Sequence, residues 1–400
     1  MVYRGDISCG IGKVGGSTGG FTPVANAEQL PGWDDCATIT DVEWLDLDPE
    51  TFTVEAGESI DVTVTTDSTG LDLGTYEAAI RVLSNTPQDA IDVPVTMNVR
   101  QEPVEVERWA GSDRYGTAAA VSATYEPGVD VVFLATGLDY PDALTGSALA
   151  GSLDAPVLLT RHGGLPSATR AELERLAPER VVVLGGPVAV SDAVLVEAGL
   201  LTGAPVQRVS GTNRYGTAAA VAAEFGTAER VFVATGANYP DALSAAARAG
   251  ALDSPVLLVR RTEIPSATAA ALDGLAPSQI TVLGGEGAVD QSVVNELRDW
   301  APTRRTGGLN RWITSARLFA EVASAETVYV ASGQNWPDAL AGGAKAGSDH
   351  EPLLITRQDR LPGVILSTLE RLDPDRVVVL GGPVAVSEDV VDELRGLRDD

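Results

Sequence analysis

Three landmarks recur in fixed order through this chain, and that recurrence limits the fold more than any other feature. The stretch VVVLGGPVAVSDAV at 181–194 returns as TVLGGEGAVDQSVV from Thr281 and as VVVLGGPVAVSEDV from Val377. Its glycine pairs, Gly185-Gly186, Gly284-Gly285 and Gly381-Gly382, are spaced by 99 and then 97 residues. The tetrapeptide PDAL keeps the same steps at Asp142, Asp241 and Asp338. Ahead of each stand RWAGSDRYGTA from Arg108, RVSGTNRYGTA from Arg208 and RTGGLNRWITS from Arg305. One order of landmarks, met three times, means three copies of one structural unit.

The second copy shows what that unit is. Apolar runs at 205–211, 230–236, 254–259 and 279–285 have strand length, and each is followed by a segment of helical composition. Pro240 and Pro265 stand at the first turns of two of these helices, and Asp241 lies where a helix dipole favours negative charge. Strands apolar on both faces, alternating with helices, predict α/β architecture with parallel sheets covered on both sides. The copies are expected at 102–204, 205–299 and 300–400.

The first hundred residues differ. Residues 1–37 are glycine-rich and aperiodic, and read as an irregular segment. Three motif matches there are rejected. Gly10, Gly12 and Gly15 are followed by more glycines rather than a helix, Ser17 between Gly15 and Gly19 has no flanking strand and helix, and Val14 follows Lys13 where a phosphate loop needs Ser or Thr. Residues 38–101 alternate apolar and polar at 59–66, 75–83 and 93–99, with turn residues between, which predicts a small antiparallel β-sandwich. This stretch resembles the immunoglobulin-like modules of bacterial surface proteins, which act as spacers. A module so short either lacks a strand or takes one from 1–37. The two cysteines, Cys9 and Cys36, precede the repeats; they pair if the protein is exported and are free thiols otherwise.

Charge narrows the partners. Acidic residues outnumber basic ones 56 to 28, a net charge of −28. Only Lys13 and Lys345 are lysines, so nearly every cation is arginine. Such a surface stays soluble and argues against nucleic acid. It suits a salty or alkaline exterior, and high-GC codon bias produces the same composition. No run of 18 apolar residues exists, so no transmembrane helix is expected. The start MVYRGDISCG has no apolar core, so the chain is either cytoplasmic or a fragment of a longer precursor.

Candidate site residues sit where strands end. Thr136-Gly137, Thr235-Gly236 and Ser332-Gly333 close one strand of each copy, and the Gly-Gly pairs close another. In open α/β sheets ligands bind at strand carboxyl ends, and helix starts favour anions. The same glycines also serve as plain tight turns. Arg114, Arg214 and Arg311 either fork a carboxylate or phosphate, or pair with Asp142, Asp241 and Asp338 to fix one loop on another. Tyr140, Tyr239 and Trp336, just before PDAL, either stack on a sugar or act as buried staples. The only histidines, His162 and His350, are not in equivalent places, no cluster has metal-ligand spacing, and no nucleophile recurs beside a base. Neither metal nor cofactor is expected, and the sequence gives no positive evidence for catalysis.

Taken together, the GSDRYGTA-type opening, ATGxxYPDAL, the P-V-L-L strand and VVVLGGPVAVS resemble the cell wall binding repeat 2 family over about 300 residues. The resemblance implies three tandem Rossmann-like units in a pseudo-threefold disc. It implies non-covalent attachment of an exported protein to an anionic polymer, or secondary polysaccharide, of a Gram-positive-type wall, and so a cell-surface location. It implies that any enzymatic activity belongs to a separate domain, so the rival reading is the C-terminal part of a wall hydrolase or secreted protease with its catalytic domain upstream. The third copy departs from the pattern with RWITS and Ser332, and the second with Glu286-Gly287, which sets the equivalence of three sites in question.

Overall fold

The computed structural model describes residues 2–5, 42–55, 58–82 and 91–398. Cys9, Cys36 and the rejected glycine motifs lie outside the described residues. The chain divides into two compact units, Met1–Glu102 and Pro103–Asp400.

The first unit holds five described strands: β1 Val2–Gly5, β2 Leu45–Asp48, β3 Thr63–Thr66, β4 Gly74–Val82 and β5 Ile91–Val99. They form antiparallel sheets ordered β1-β4-β5 and β2-β3. Leu45 and Leu47 alternate with exposed Asp46 and Asp48, so β2 carries a period-two signal only four residues long. Trp44, Leu45, Leu47, Ala78 and Ile80 make the buried core, and Trp44 meets Tyr76 edge to face at 6.3 Å. Strand β1 lies in the stretch read as irregular, with Val2 opposite Val82. Four residues are too few to show a period against glycine-rich surroundings. Strand β3 is shorter than the predicted 59–66 run, and its residues are exposed.

The second unit is built from three eight-element copies. Copy one runs β6 Glu105–Trp109, α1 Arg114–Ser122, β7 Val131–Thr136, α2 Pro141–Ser152, β8 Val157–Thr160, α3 Ser167–Leu176, β9 Arg180–Leu184 and α4 Asp192–Thr202. Copy two runs β10 Val206–Val209, α5 Arg214–Ala223, β11 Arg230–Thr235, α6 Leu243–Gly250, β12 Val256–Val259, α7 Ser266–Leu275, β13 Gln279–Leu283 and α8 Gln291–Leu297. Copy three runs β14 Thr303–Thr306, α9 Arg311–Leu318, β15 Thr327–Ser332, α10 Pro337–Ser348, β16 Leu353–Thr356, α11 Gly363–Leu372, β17 Arg376–Leu380 and α12 Glu388–Arg395. Pro141 and Pro337 open their helices, whereas residues 240–242 form a turn ahead of α6.

There are three separate parallel sheets, ordered β10-β9-β7-β8, β12-β11-β13-β14 and β16-β15-β17-β6. The opening strand of each copy is therefore not part of that copy's own sheet. Strand β10 pairs with β9, β14 with β13, and β6 with β17. Repeat spacing cannot show this exchange, because shifting every copy by one strand leaves the spacing unchanged. The last exchange joins the first copy to the third and closes a ring.

Helices α2, α6 and α10 pack on one another at the centre. Their sequences are dominated by Ala, Gly and Ser, and they are buried on nearly all sides, as an axial helix must be. Gly151, Gly250 and Gly347 meet there. A Cβ on Gly250 would lie 3.1 Å from the Gly151 Cα and 3.3 Å from the Gly347 Cα. The small residues set how closely the copies approach, giving a pseudo-threefold arrangement of βα units. All carboxyl ends of the parallel strands in one sheet point the same way, which collects the signature loops.

Candidate functional site

Each signature has a local cause. Asp113, Asn213 and Asn310 cap α1, α5 and α9 by accepting from backbone N–H groups of the first turn. The next residue, Arg114, Arg214 or Arg311, is thereby held at the helix start. The hydroxyls of Thr136, Thr235 and Ser332 each accept from the backbone N–H two residues on, at 3.2 Å. Ser332 therefore keeps the job of the threonines it replaces.

The arginines donate to the turns so formed. Nη1 of Arg114 and Arg214 reaches the Gly137 and Gly236 carbonyls at 2.5 and 2.6 Å, and Arg311 makes the same bond to Gly333. Among the described residues no ion pair joins these arginines to Asp142, Asp241 or Asp338, so the loop-fixing ion pair expected as one alternative is absent; a carbonyl takes its place.

The aromatics join neighbouring copies. The Arg114 guanidinium lies 5.4 Å from the Trp336 ring centre, and Arg214 lies 5.7 Å from that of Tyr140. The Tyr140 hydroxyl donates to the Gly236 carbonyl, and that of Tyr239 to the Gln334 carbonyl. Tyr140 and Tyr239 meet edge to face at 5.4 Å. Tyr140 is buried, while Tyr239 and Trp336 keep partial exposure. At two junctions an arginine of one copy thus stands beside an aromatic of the previous one, whereas Arg311 lies 5.7 Å from the ring of Trp312, its neighbour in sequence, and Tyr239 reaches copy three through the Gln334 carbonyl.

A second set of arginines, not singled out from the sequence, stands beside the first. Arg161 and Arg260 lie 5.6 Å from the rings of Tyr115 and Tyr215, whose edges in turn cover Gly137 and Gly236. Arg357 takes the equivalent position after β16, and Trp312 the equivalent ring position over Gly333. Their signal was an arginine directly after the third strand in every copy.

The aspartates and glycine pairs are structural partners. Gly185, Gly284 and Gly381 have φ of +93°, +87° and +97°, where side chains are strained. A Cβ there would also lie 2.3–2.7 Å from Oδ2 of Asp142, Asp241 or Asp338. The Gly186, Gly285 and Gly382 carbonyls accept from N–H groups of the following turn. Burial pushes the Asp142 and Asp338 carboxyls up, against hydrogen bonds from Thr217 and Thr117 of the next copy. The first arginine of each signature holds the same turn: Arg108, Arg208 and Arg305 donate to the carbonyls of Gly381, Gly185 and Gly284.

The three junctions each place an arginine guanidinium beside an aromatic ring at strand carboxyl ends. Arginine supplies bidentate recognition of carboxylate or phosphate, and ring faces suit sugars. Among the described residues no group of three or more His, Cys, Asp or Glu is placed to hold a metal ion, and no helix is long and apolar enough to cross a membrane.

The model of the cell wall binding domain 2 (CWB2) family matches residues 108–195, 208–294 and 305–391, well over half the chain. The chain belongs to the CWB2 family. It is 31% identical over 291 residues to the N-acetylmuramoyl-L-alanine amidase LytC of Bacillus subtilis (strain 168), covering 72% of this chain and 58% of that protein. It is 28% identical over 289 residues to the amidase enhancer of the same organism, covering 72% of this chain and 40% of that protein. The chain thus spans about half the length of these relatives. Solved structures of Cwp6 and Cwp8 from Clostridium difficile share the fold, with TM-scores of 0.71 and 0.68 at 20% and 24% identity. Those alignments cover 84% and 89% of this chain, and 59% and 63% of the two structures. The CWB2 repeats make this a cell-wall-binding protein of the cell surface.

Proposed function

We propose that the CWB2 ring grips an anionic wall polymer, or secondary wall polysaccharide, at its three junctions. The carrying observation is the threefold placement of Arg114, Arg214 and Arg311 on the Gly137, Gly236 and Gly333 turns, each beside an aromatic ring (Trp336, Tyr140 and Trp312), on a protein of net charge −28. At that net charge the long-range field repels a polyanion, so attraction is local, within a screening length of about 8–10 Å. Arginine forks and helix-start N–H groups supply it. One junction alone binds weakly; three on one rigid body gain about 10²–10⁴-fold through effective concentration.

In this reading residues 102–204, 205–299 and 300–400 are the three binding copies, and residues 38–101 are an immunoglobulin-like spacer. The ring binds and does not catalyse. A second reading, favoured by relatives that are an amidase and an amidase enhancer longer than this chain, makes it the anchoring part of a wall hydrolase with its catalytic domain upstream. Co-sedimentation of the chain with purified walls, intact or stripped of their anionic polymer, tests the proposal. Retention on intact walls and loss on stripped walls is expected; equal retention on both overturns the polymer assignment. Release of sugars or peptides from the walls by the purified chain would overturn the non-catalytic reading.

A further inference from the structure

The three junctions have equivalent frames but unequal charge. In the loop before PDAL, Asp139 stands where the other copies have Asn238 and Asn335. Asp139 lies 3.5 Å from Nη2 of Arg214. Glu263 stands where the other copies have Gly164 and Arg360, and it pairs with Arg260 at 2.6 Å. Both acids fall at the junction of copies one and two, one on each of its two site arginines. Among the described residues no ion pair holds Arg114 or Arg161, at the junction of copies three and one, or Arg311 or Arg357, at that of copies two and three. Aromatic surface differs in the same direction. Beside Arg114 is partly exposed Trp336, while beside Arg214 is Tyr140, buried and with its hydroxyl committed to Gly236.

Resting on the polymer-binding reading, we infer that the ring is graded: Asp139 and Glu263 mask the Arg214 junction, which leaves the Arg114 and Arg311 junctions as its principal anion sites. A ligand carboxylate or phosphate must displace the resident carboxylates at Arg214 and Arg260, whereas among the described residues no carboxylate stands within ion-pairing distance of Arg114. Each carboxylate removed from or added to a junction changes local affinity by about three- to tenfold, the Coulomb effect of one charge a few ångströms away in a partly screened setting.

The test uses the full chain and purified walls that retain their anionic polymer, reading the half-saturating wall concentration. Asp139→Asn with Glu263→Gln should lower it about three- to tenfold, and Asn335→Asp, which places the acid beside Arg114, should raise it by a similar factor. Arg114→Gln should weaken binding more than Arg214→Gln. Equal losses for the two arginine variants, or Asn335→Asp binding like the parent, overturns the grading while leaving wall binding intact. A parent that fails to bind walls at all overturns the polymer reading and the grading together. Circular dichroism checks each variant; the Asp139/Glu263 pair is exposed, so its replacement gives a reading even if Asn335→Asp disturbs its loop.

Discussion

Arg108 donates Nη1 to the Gly381 carbonyl at 2.7 Å, across 273 residues of chain. The same guanidinium reaches the Val386 carbonyl and Glu388, both at 3.0 Å. Together with the β6–β17 pairing it makes the third sheet depend on the first residues of the first copy. Arg108→Ala leaves two carbonyls without this charged donor, at a cost of about 1–3 kcal/mol. Urea unfolding followed by circular dichroism should show the lower midpoint, and an unchanged midpoint would show that strand pairing alone holds the ring shut.

The axis makes a packing prediction. A Cβ on Gly250 would sit 3.2 Å from the Ala148 carbonyl oxygen and 3.1 Å from the Gly151 Cα, both on backbone that can move only by parting the helices. Gly250→Val should destabilise by roughly 1–3 kcal/mol through overpacking. Gly274, inside α7, has nothing within 4 Å of its Cβ position. Gly274→Ala should stabilise by about 0.5–1 kcal/mol, as expected for replacing glycine in a helix. Thermal unfolding of both variants checks the contrast; similar shifts would mean the axis is looser than its geometry.

The PDAL aspartates set a pH dependence. Burial raises the Asp142 and Asp338 carboxyls, so their contribution to stability is fully present below the ordinary carboxylate pKa and is lost as pH rises through the raised folded value. Asn cannot ionise and keeps a carbonyl oxygen for Thr217 or Thr117. The melting temperature of Asp142→Asn minus that of the parent should therefore become more positive between acidic and neutral pH. A difference that is flat or falls with pH would contradict it.

Much of this was legible because the copies repeat. Strand ends, helix starts and the arginine and aromatic positions all keep their offsets, so the sequence alone locates the loops that gather at the strand carboxyl ends. The strand exchange was hidden, since Val206–Val209 reads as a strand whichever sheet receives it. The contact of Arg114 with Trp336 was hidden for the same reason: it joins copy one to copy three, and no spacing within a copy encodes it. Arg161 and Arg260 recur as regularly as Arg114, but each directly follows an apolar strand, and only their stacking on Tyr115 and Tyr215 brings them to the junctions. Asp139 was a single departure from an otherwise repeated Asn, and only its distance to Arg214 gives that departure a meaning.

Two classes of arginine should separate in experiment. Arg208 uses Nη1 on the Gly185 carbonyl and Nη2 on Asp192, with its side chain 15% exposed. Arg114 uses Nη1 on Gly137 and lays its guanidinium beside an aromatic ring at a junction. Arg208→Ala should lower stability by about 1–3 kcal/mol while the folded fraction still binds walls. Replacing Arg114, Arg214 and Arg311 together by Gln should leave a folded ring that loses far more wall retention than any single change, because multivalent gain collapses when every junction weakens. Salt sharpens the distinction. Raising ionic strength to moderate levels screens the repulsion of the net −28 charge as well as the local attraction, so parent retention should persist. Co-sedimentation with walls, paired with circular dichroism on each variant, reads both effects. A folded triple variant that binds walls like the parent would make these arginines structural and move the site elsewhere on the ring.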